Sequence, residues 1–316
     1  MEMNDHSHEY LLSELKALSK AVTNNEELNF SSNKSVFDAD GQELKLLALD
    51  DKLLPCFGEG NIRKVKDIKL RDDDVILLGY PKTGCHWIWE VLNMMLRKTP
   101  VMSKLGKEAV FLEFASLENI ENTPSPRALN SHLWFDYLPQ QLLEKKTKLI
   151  LTFRNPKDTA VSFYNHTVSF GMVLGYQGTF KSWFPLFEDG LVDYGSYYDY
   201  YLEWDHVIKS NPDLQVLLVS YEEMKEDLTK VMKKMSKFLD LDLDDQLAQD
   251  IVKATRFDAM KETYTNNGTF SRSLLRKGQV GDWKNWLTVA QSEAVDEKMK
   301  KLDGTSFSQE NQRYTL

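Results

Sequence analysis

Three features of the chain predict an α/β fold: a single domain in which a central, mostly parallel sheet is flanked by helices. Short apolar runs recur at Val75–Leu78, Lys148–Phe153 and Leu214–Val219, with the near-continuous hydrophobicity of strands covered on both faces. Segments with helical spacing of apolar residues follow them, and strand–helix alternation of this kind points to a parallel sheet. No linker or internal repeat divides the chain. Composition agrees, since 42% of the 316 residues are hydrophobic and 28% are charged, enough apolar material for a large core. The net charge of −9 argues against charge-driven binding to nucleic acid or to a membrane surface. An anionic ligand would need a local basic pocket set against that global sign. Two cysteines, Cys56 and Cys85, make no disulfide framework. No apolar run approaches the roughly 20 residues of a membrane span, and the polar start MEMNDHSHEY does not read as a signal peptide. A cytoplasmic protein is the expectation.

In chain order, residues 1–40 read as an N-terminal extension. Its first residues look disordered, Leu11, Leu15, Leu18 and Val22 make an amphipathic helix, and the stretch from Asn24 to Asp40 reads as loop. Residues 41–316 form the domain proper, opening with short strands and a basic run, Arg63 to Lys69, that suits a solvated face. Next comes the stretch on which the chain is organised. Val75–Leu78 breaks at Gly79-Tyr80-Pro81, carries Lys82, Thr83 and Gly84, and turns helical from Cys85, with Trp87, Val91 and Met94 on one face. Strand, tight loop and helix present backbone N–H groups and a helix N-terminus to a phosphate. Gly84 permits close approach and Lys82 adds a mobile charge. The Walker pattern GxxxxGK[ST] is absent, so the loop is P-loop-like at most, and an ordinary strand packed on a helix stands as the other reading.

Residues 99–130 are loop-rich, with Pro124 and Pro126 at turns. His132 then sits among Trp134, Phe135 and Tyr137, either a packed core histidine or a general base beside an apolar pocket. The second apolar run ends in Arg154, placed as ligand residues are in open α/β sheets, with Ser162 on the following helix facing the same crevice; a surface ion pair is the alternative. Gly and aromatic residues between 171 and 193 predict a mobile flap. A helix is expected from the aromatic run Tyr194–Trp204, and another over Asp227–Leu239 with Leu228, Val231, Met235 and Leu239 inward. Near the C-terminus, Arg276, Lys277 and Gly278 suit a loop wrapped around a phosphate, or simply an exposed basic loop. No His/Asp/Glu set has metal-ligand spacing, so no metal is expected.

Taken together these pieces resemble the cytosolic sulfotransferases. Their YPKSGTTW signature stands here as Tyr80 to Trp87, their Arg and Ser eight residues apart as Arg154 and Ser162, and their RKGxxGDWK as Arg276 to Lys284. Tyr221 and Thr255 match family positions too, and the likeness runs from about residue 45 to 310. It implies a donor, 3′-phosphoadenosine 5′-phosphosulfate (PAPS), released as PAP. By that resemblance Lys82, Thr83, Gly84, Cys85, His86 and Trp87 hold the phosphosulfate end. Arg154, Ser162, Arg276, Lys277 and Gly278 hold the 3′-phosphate. Tyr221, Thr255, Phe257 and Met260 line the adenine end.

The implied reaction is sulfuryl transfer to a hydroxyl or amine by in-line displacement, with His132 as general base and Lys82 opposite the leaving oxygen. Candidate walls for a small apolar or aromatic acceptor are Phe111, Phe114, Asn130, Trp134, Phe135, Phe170 and Tyr264, though aromatics such as these equally fill cores. The segment Lys284–Glu293 fits the family's dimer motif KxxxTVxxxE, which implies a homodimer. There are departures. Asn130 stands where the family has a lysine two residues before the histidine, and Cys85-His86 replaces Thr-Thr. His86 either restores a donor to the sulfuryl oxygens or is merely tolerated there, and Cys85 at a helix N-terminus suggests an activated thiol. These changes leave a second reading, a non-catalytic nucleotide-binding protein that retains the fold.

Overall fold

The computed structural model describes residues 32–104, 106–169, 175–266 and 275–308. The helix expected around Leu11–Val22, and Phe170, lie outside the described residues.

At the centre is a parallel sheet of four strands: β4 (Val75–Gly79), β5 (Ala128–Ser131), β6 (Lys148–Phe153) and β7 (Val216–Ser220), in the order β5-β4-β6-β7. All three pairings are parallel, with Leu77 opposite Asn130 on one side and Ile150 on the other. Every residue of β4 is buried, as covering on both faces demands, and each of its large aliphatic side chains contributes about 1.5–3 kcal/mol. A separate antiparallel sheet joins β1 (Lys34–Phe37), β2 (Glu43–Leu49) and β3 (Lys52–Leu54). The segment expected to be loop thus supplies β1, because Lys34–Phe37 pairs with Glu43–Leu46. That pairing crosses the boundary placed at residue 40.

Helices connect and cover the sheets. In order they are α1 (Glu59–Arg63), α2 (Cys85–Arg97), α3 (Leu117–Asn122), α4 (Pro156–Ser169), α5 (Phe180–Glu188), α6 (Tyr197–Ser210), α7 (Tyr221–Glu226), α8 (Leu228–Leu239), α9 (Asp245–Ala254), α10 (Phe257–Asn266) and α11 (Val289–Met299). Their starts are written in the sequence. Ser220 with Glu223 and Thr288 with Gln291 form capping boxes, while Ser196, Asp227 and Asp244 each accept a first-turn N–H. Helix α8 buries Leu228, Val231, Met235 and Leu239 as its periodicity predicts. Residues 180–188 are no flap: α5 buries Phe180, Trp183, Phe184 and Phe187 against the core, and Trp183 packs on Phe163 of α4 at 5.7 Å between ring centres. Aromatic density there marks packing.

Candidate active site

The carboxyl ends of the four parallel strands deliver four of the expected residues to one place. Lys82 follows β4, His132 follows β5, Arg154 follows β6 and Tyr221 follows β7. All four line a single cavity of about 580 Å³, the crevice position typical of open α/β sheets.

The loop after β4 is held in an unusual shape. Lys82 itself has φ 70° and Gly84 has φ 99°, and a non-glycine residue in the left-handed region persists only where its surroundings fix it. A Cβ on Gly84 would stand 2.7 Å from the Tyr221 ring, so only glycine fits. The Thr83 hydroxyl turns away from the cavity and lies 2.7 Å from both the Tyr80 carbonyl and Thr152 Oγ1. Burial, then the charges of Lys107 and Arg154, push Lys82 down to about 7. Cys85 lines the cavity, is 5% exposed and sits 3.3 Å from Thr152 Oγ1.

His86 corrects the role expected of it. Its Nε2 lies 2.6 Å from Glu108 Oε1, and burial outweighs that carboxylate to push the imidazole down to about 4. A neutral ring has one N–H. Here Glu108, held ionised by His86 and Lys107 against its own burial, takes it. His86 therefore has no donor left for a sulfuryl oxygen.

His132 is fixed from two directions. Its backbone N–H donates to Glu113 Oε1 at 2.8 Å, and its Nδ1 lies 2.7 Å from the Gly79 carbonyl. A carbonyl only accepts, so Nδ1 carries the proton. Burial, then the Lys107 charge, hold the ring well below the usual imidazole value and thus neutral. The lone pair is left on Nε2, the form a general base requires. Phe111 and Tyr194 flank the ring edge-on at 5.4 and 5.5 Å. Burial pushes the Glu113 carboxyl up to about 7, and the Tyr194 hydroxyl donates to it as well.

Arg154 ties two loops together. Its guanidinium donates to the Lys82 carbonyl at 3.2 Å and to the Gln279 carbonyl at 3.3 Å, and it stacks 4.2 Å over the Tyr221 ring. The C-terminal basic loop is anchored by Asp158 in the first turn of α4, which accepts the backbone N–H groups of Gly281 and Trp283 at 2.6 and 3.0 Å. Arg276 and Lys277 both bind Asp282, and a Cβ on Gly278 would meet Phe257 at 2.4 Å. Ser162, Trp87, Thr255, Phe257, Met260, Arg276, Lys277 and Gly278 line the same cavity as Lys82 and His132, and so do Phe111 and Phe114.

Four expected acceptor walls do not. Trp134 is buried against Tyr200 with Lys52 Nζ over its ring at 3.3 Å. Phe135 packs on Trp204, and Tyr264 is buried and donates to Glu90, docking α10 on α2. The Asn130 side chain is buried in a bond to Lys107. They are core, because residue type alone does not say which side of a sheet a side chain takes. Reading the chain missed Phe57, Lys107, Glu108, His166, Asp193 and Tyr194, which all line the cavity. His166 stood four residues beyond Ser162, on the same helix face; Lys107 had no such signal.

A cavity lined by fixed cations and a neutral proton acceptor can move an anionic group between two molecules, the work of a group transferase. Comparison with known proteins narrows the class. A family model described as a sulfotransferase domain matches residues 72–307. Sulfotransferase 6B1 of Danio rerio is 37% identical over 251 residues, covering 78% of this chain and 83% of that protein. Sulfotransferase 1A1 of Mus musculus is 36% identical over 270 residues, covering 79% and 91%. The crystal structure of mouse sulfotransferase SULT7A1 complexed with PAP aligns with a TM-score of 0.71 at 29% identity, over 85% of this chain and 98% of that one. A retinol dehydratase shares the fold at a TM-score of 0.66 and 17% identity, over 96% of both chains. The chain belongs to the sulfotransferase family, and its reaction is sulfuryl transfer.

Proposed function

We propose that the chain transfers the sulfuryl group of PAPS to the hydroxyl or amine of a small apolar or aromatic acceptor, with His132 as general base. The observation that carries this reading is the neutral His132, its Nδ1 hydrogen on Gly79 O, in one cavity with Lys82. The residues fit such a donor. Two backbone cradles that a Cβ would fill, at Gly84 and Gly278, lie beside two separate cationic loops, and the buried Arg154 Nε has no hydrogen-bond partner among the described residues. When bound, the donor supplies an activated sulfur and a phosphate leaving group.

Lys82, Gly84, Cys85, His86 and Trp87 surround the phosphosulfate, Thr83 supporting their loop from behind. Arg154, Ser162 and Arg276–Gly278 take the 3′-phosphate, and Tyr221, Thr255, Phe257 and Met260 take the adenine. His132 Nε2 accepts the acceptor's proton as its oxygen or nitrogen bonds to sulfur, and the electron pair of the breaking S–O bond leaves with the phosphate, opposite the Lys82 ammonium. The phenylalanine cluster of Phe57, Phe111 and Phe114, with Phe57 edge-on to the other two at 6.0 and 5.4 Å, suits a planar, apolar acceptor. Lys284–Glu293 is the proposed homodimer contact.

His132→Ala, assayed with labelled donor and a panel of phenols and amines, is expected to lose turnover while binding PAP as the wild type does. Sustained turnover in that variant would remove His132 as the base.

A further inference from the structure

The function proposed above uses Lys82 and Arg154 but leaves a further cation of the cavity, Lys107, without a role. Lys107 opens a 3-10 turn, Lys107–Val110, directly after Gly106, whose φ of 65° turns the chain inward. The residue is only 3% exposed, and lysines are almost never so buried unless something holds them. Asn130 does so reciprocally. Lys107 Nζ donates to Asn130 Oδ1 at 2.9 Å, and Asn130 Nδ2 donates back to the Lys107 carbonyl at 2.8 Å. One oxygen of an amide engages one of the three ammonium hydrogens. The Phe111 ring, a cavity wall, lies 4.1 Å from Nζ. The clamp therefore sets the ammonium at the end of β5, two residues from His132.

The charge acts on both ends of the reaction. After burial, Lys107 is the largest influence lowering both Lys82 and His132. In an in-line displacement those two residues stand at the leaving and attacking oxygens, with the sulfuryl group between them. A cation close to both lies beside the three oxygens that carry the transferring charge, and a fixed cation there stabilises the transition state.

We infer that Lys107 is a catalytic residue whose ammonium contacts the transferring sulfuryl oxygens, and that Asn130 is the positioning residue that aims it. This rests on the function proposed above. The ionisable groups around it are Glu108 next in its own turn, His86 on α2, Lys82 after β4, Glu113 and His132 near β5, and His166 on α4.

The test compares the wild type with Lys107→Met and with the exchange Lys107→Met/Asn130→Lys, which returns an ammonium to the same spot from the opposite side of the clamp. Lys107→Met is expected to lower kcat about 100-fold, with the Kd for PAP, which lacks the sulfuryl group, changed less than twofold. The exchange is expected to recover at least tenfold of that loss. Removing a positive neighbour raises both pKa values, so both limbs of the kcat/KM profile of Lys107→Met are expected to move to higher pH. An active wild type with an equally active Lys107→Met overturns the inference alone. So does a folded exchange variant that recovers nothing, or a parallel loss of PAP binding. A wild type that makes no product from any acceptor overturns the proposed function and this inference with it.

Discussion

At neutral pH the His132 ring is ready to accept a proton at Nε2 because burial and the Lys107 charge keep it neutral, with its one hydrogen on Nδ1. The base form exists above its lowered pKa, so kcat/KM is expected to stay flat as pH falls through about 6.5, where an ordinary histidine would be lost. Lys82 has the opposite requirement. It must be charged, and burial together with Lys107 and Arg154 brings it down to about 7. We expect kcat/KM to decline as pH rises through that value, and kcat to decline at higher pH, because a bound anion raises Lys82 again. A kcat/KM profile still flat at pH 9 would exclude Lys82 as the titrating cation. At this scale the sequence was informative wherever a residue follows an apolar run, directly as for Arg154 and Tyr221 or across a three-residue turn as for Lys82. It was uninformative for Trp134, Phe135 and Tyr264, whose aromatic character is compatible with either face of a strand or helix. Lys107 reaches the cavity through a non-periodic segment brought beside β5 by the bridge between Phe111 and Asn130, a relation no local pattern announces.

The secondary-structure elements matter here as clamps on loops. Helix α4 has Asp158 in its first turn, and both carboxylate oxygens serve the loop that contains Arg276–Gly278. Asp158→Ala would leave the Gly281 and Trp283 N–H groups unpaired, at about 1–3 kcal/mol each. Calorimetry is expected to show PAP affinity at least tenfold weaker, with a lower Tm; unchanged affinity would mean the loop keeps its shape without this anchor. Ser220→Ala removes the capping box at the start of α7, where Tyr221 stands, and is expected to cost about 1 kcal/mol in denaturant unfolding. Strands β4, β6 and β7 were legible to within a residue or two because each is a largely aliphatic run, although β7 at the sheet edge is only half-buried over Val216–Leu218. Strand β5 was not, since its four residues include Asn130 and Ser131 and lie in a proline-marked, loop-like stretch. Strand β1 was hidden for a related reason: its burial pattern leaves three of four residues exposed, so pairing with β2, not hydrophobicity, defines it.

Across the whole molecule, a chain of net charge −9 concentrates Lys82, Lys107, Arg154, Arg276 and Lys277 around one cavity. The proposed dimer contact runs on from the basic loop, with the Arg276 guanidinium 5.9 Å from the Trp286 ring, to the start of α11, where Thr288 caps the helix and Val289 is 76% exposed. Light scattering at micromolar concentration is expected to give a dimer for the wild type and a monomer for Val289→Glu, with per-chain turnover retained. Equal masses for the two proteins would place the contact elsewhere. The architecture was legible in outline from strand–helix alternation, whereas the antiparallel sheet and the helix at Phe180–Glu188 depend on contacts between distant segments. One consequence follows from four neighbouring strands each followed, within three residues, by a working residue. The strands form a ruler, with teeth about 4.8 Å apart across the sheet and about 3.3 Å apart along it. Inserting or deleting one residue within β4, β5 or β6 would turn the next side chain to the opposite face, silencing the site even if every residue named here were kept. Exchanging the terminal residue itself leaves the ruler intact. New acceptor chemistry is most accessible through substitution at Phe57, Phe111 and Phe114, which line the cavity but lie in none of the four strands, and least accessible through any change in strand length.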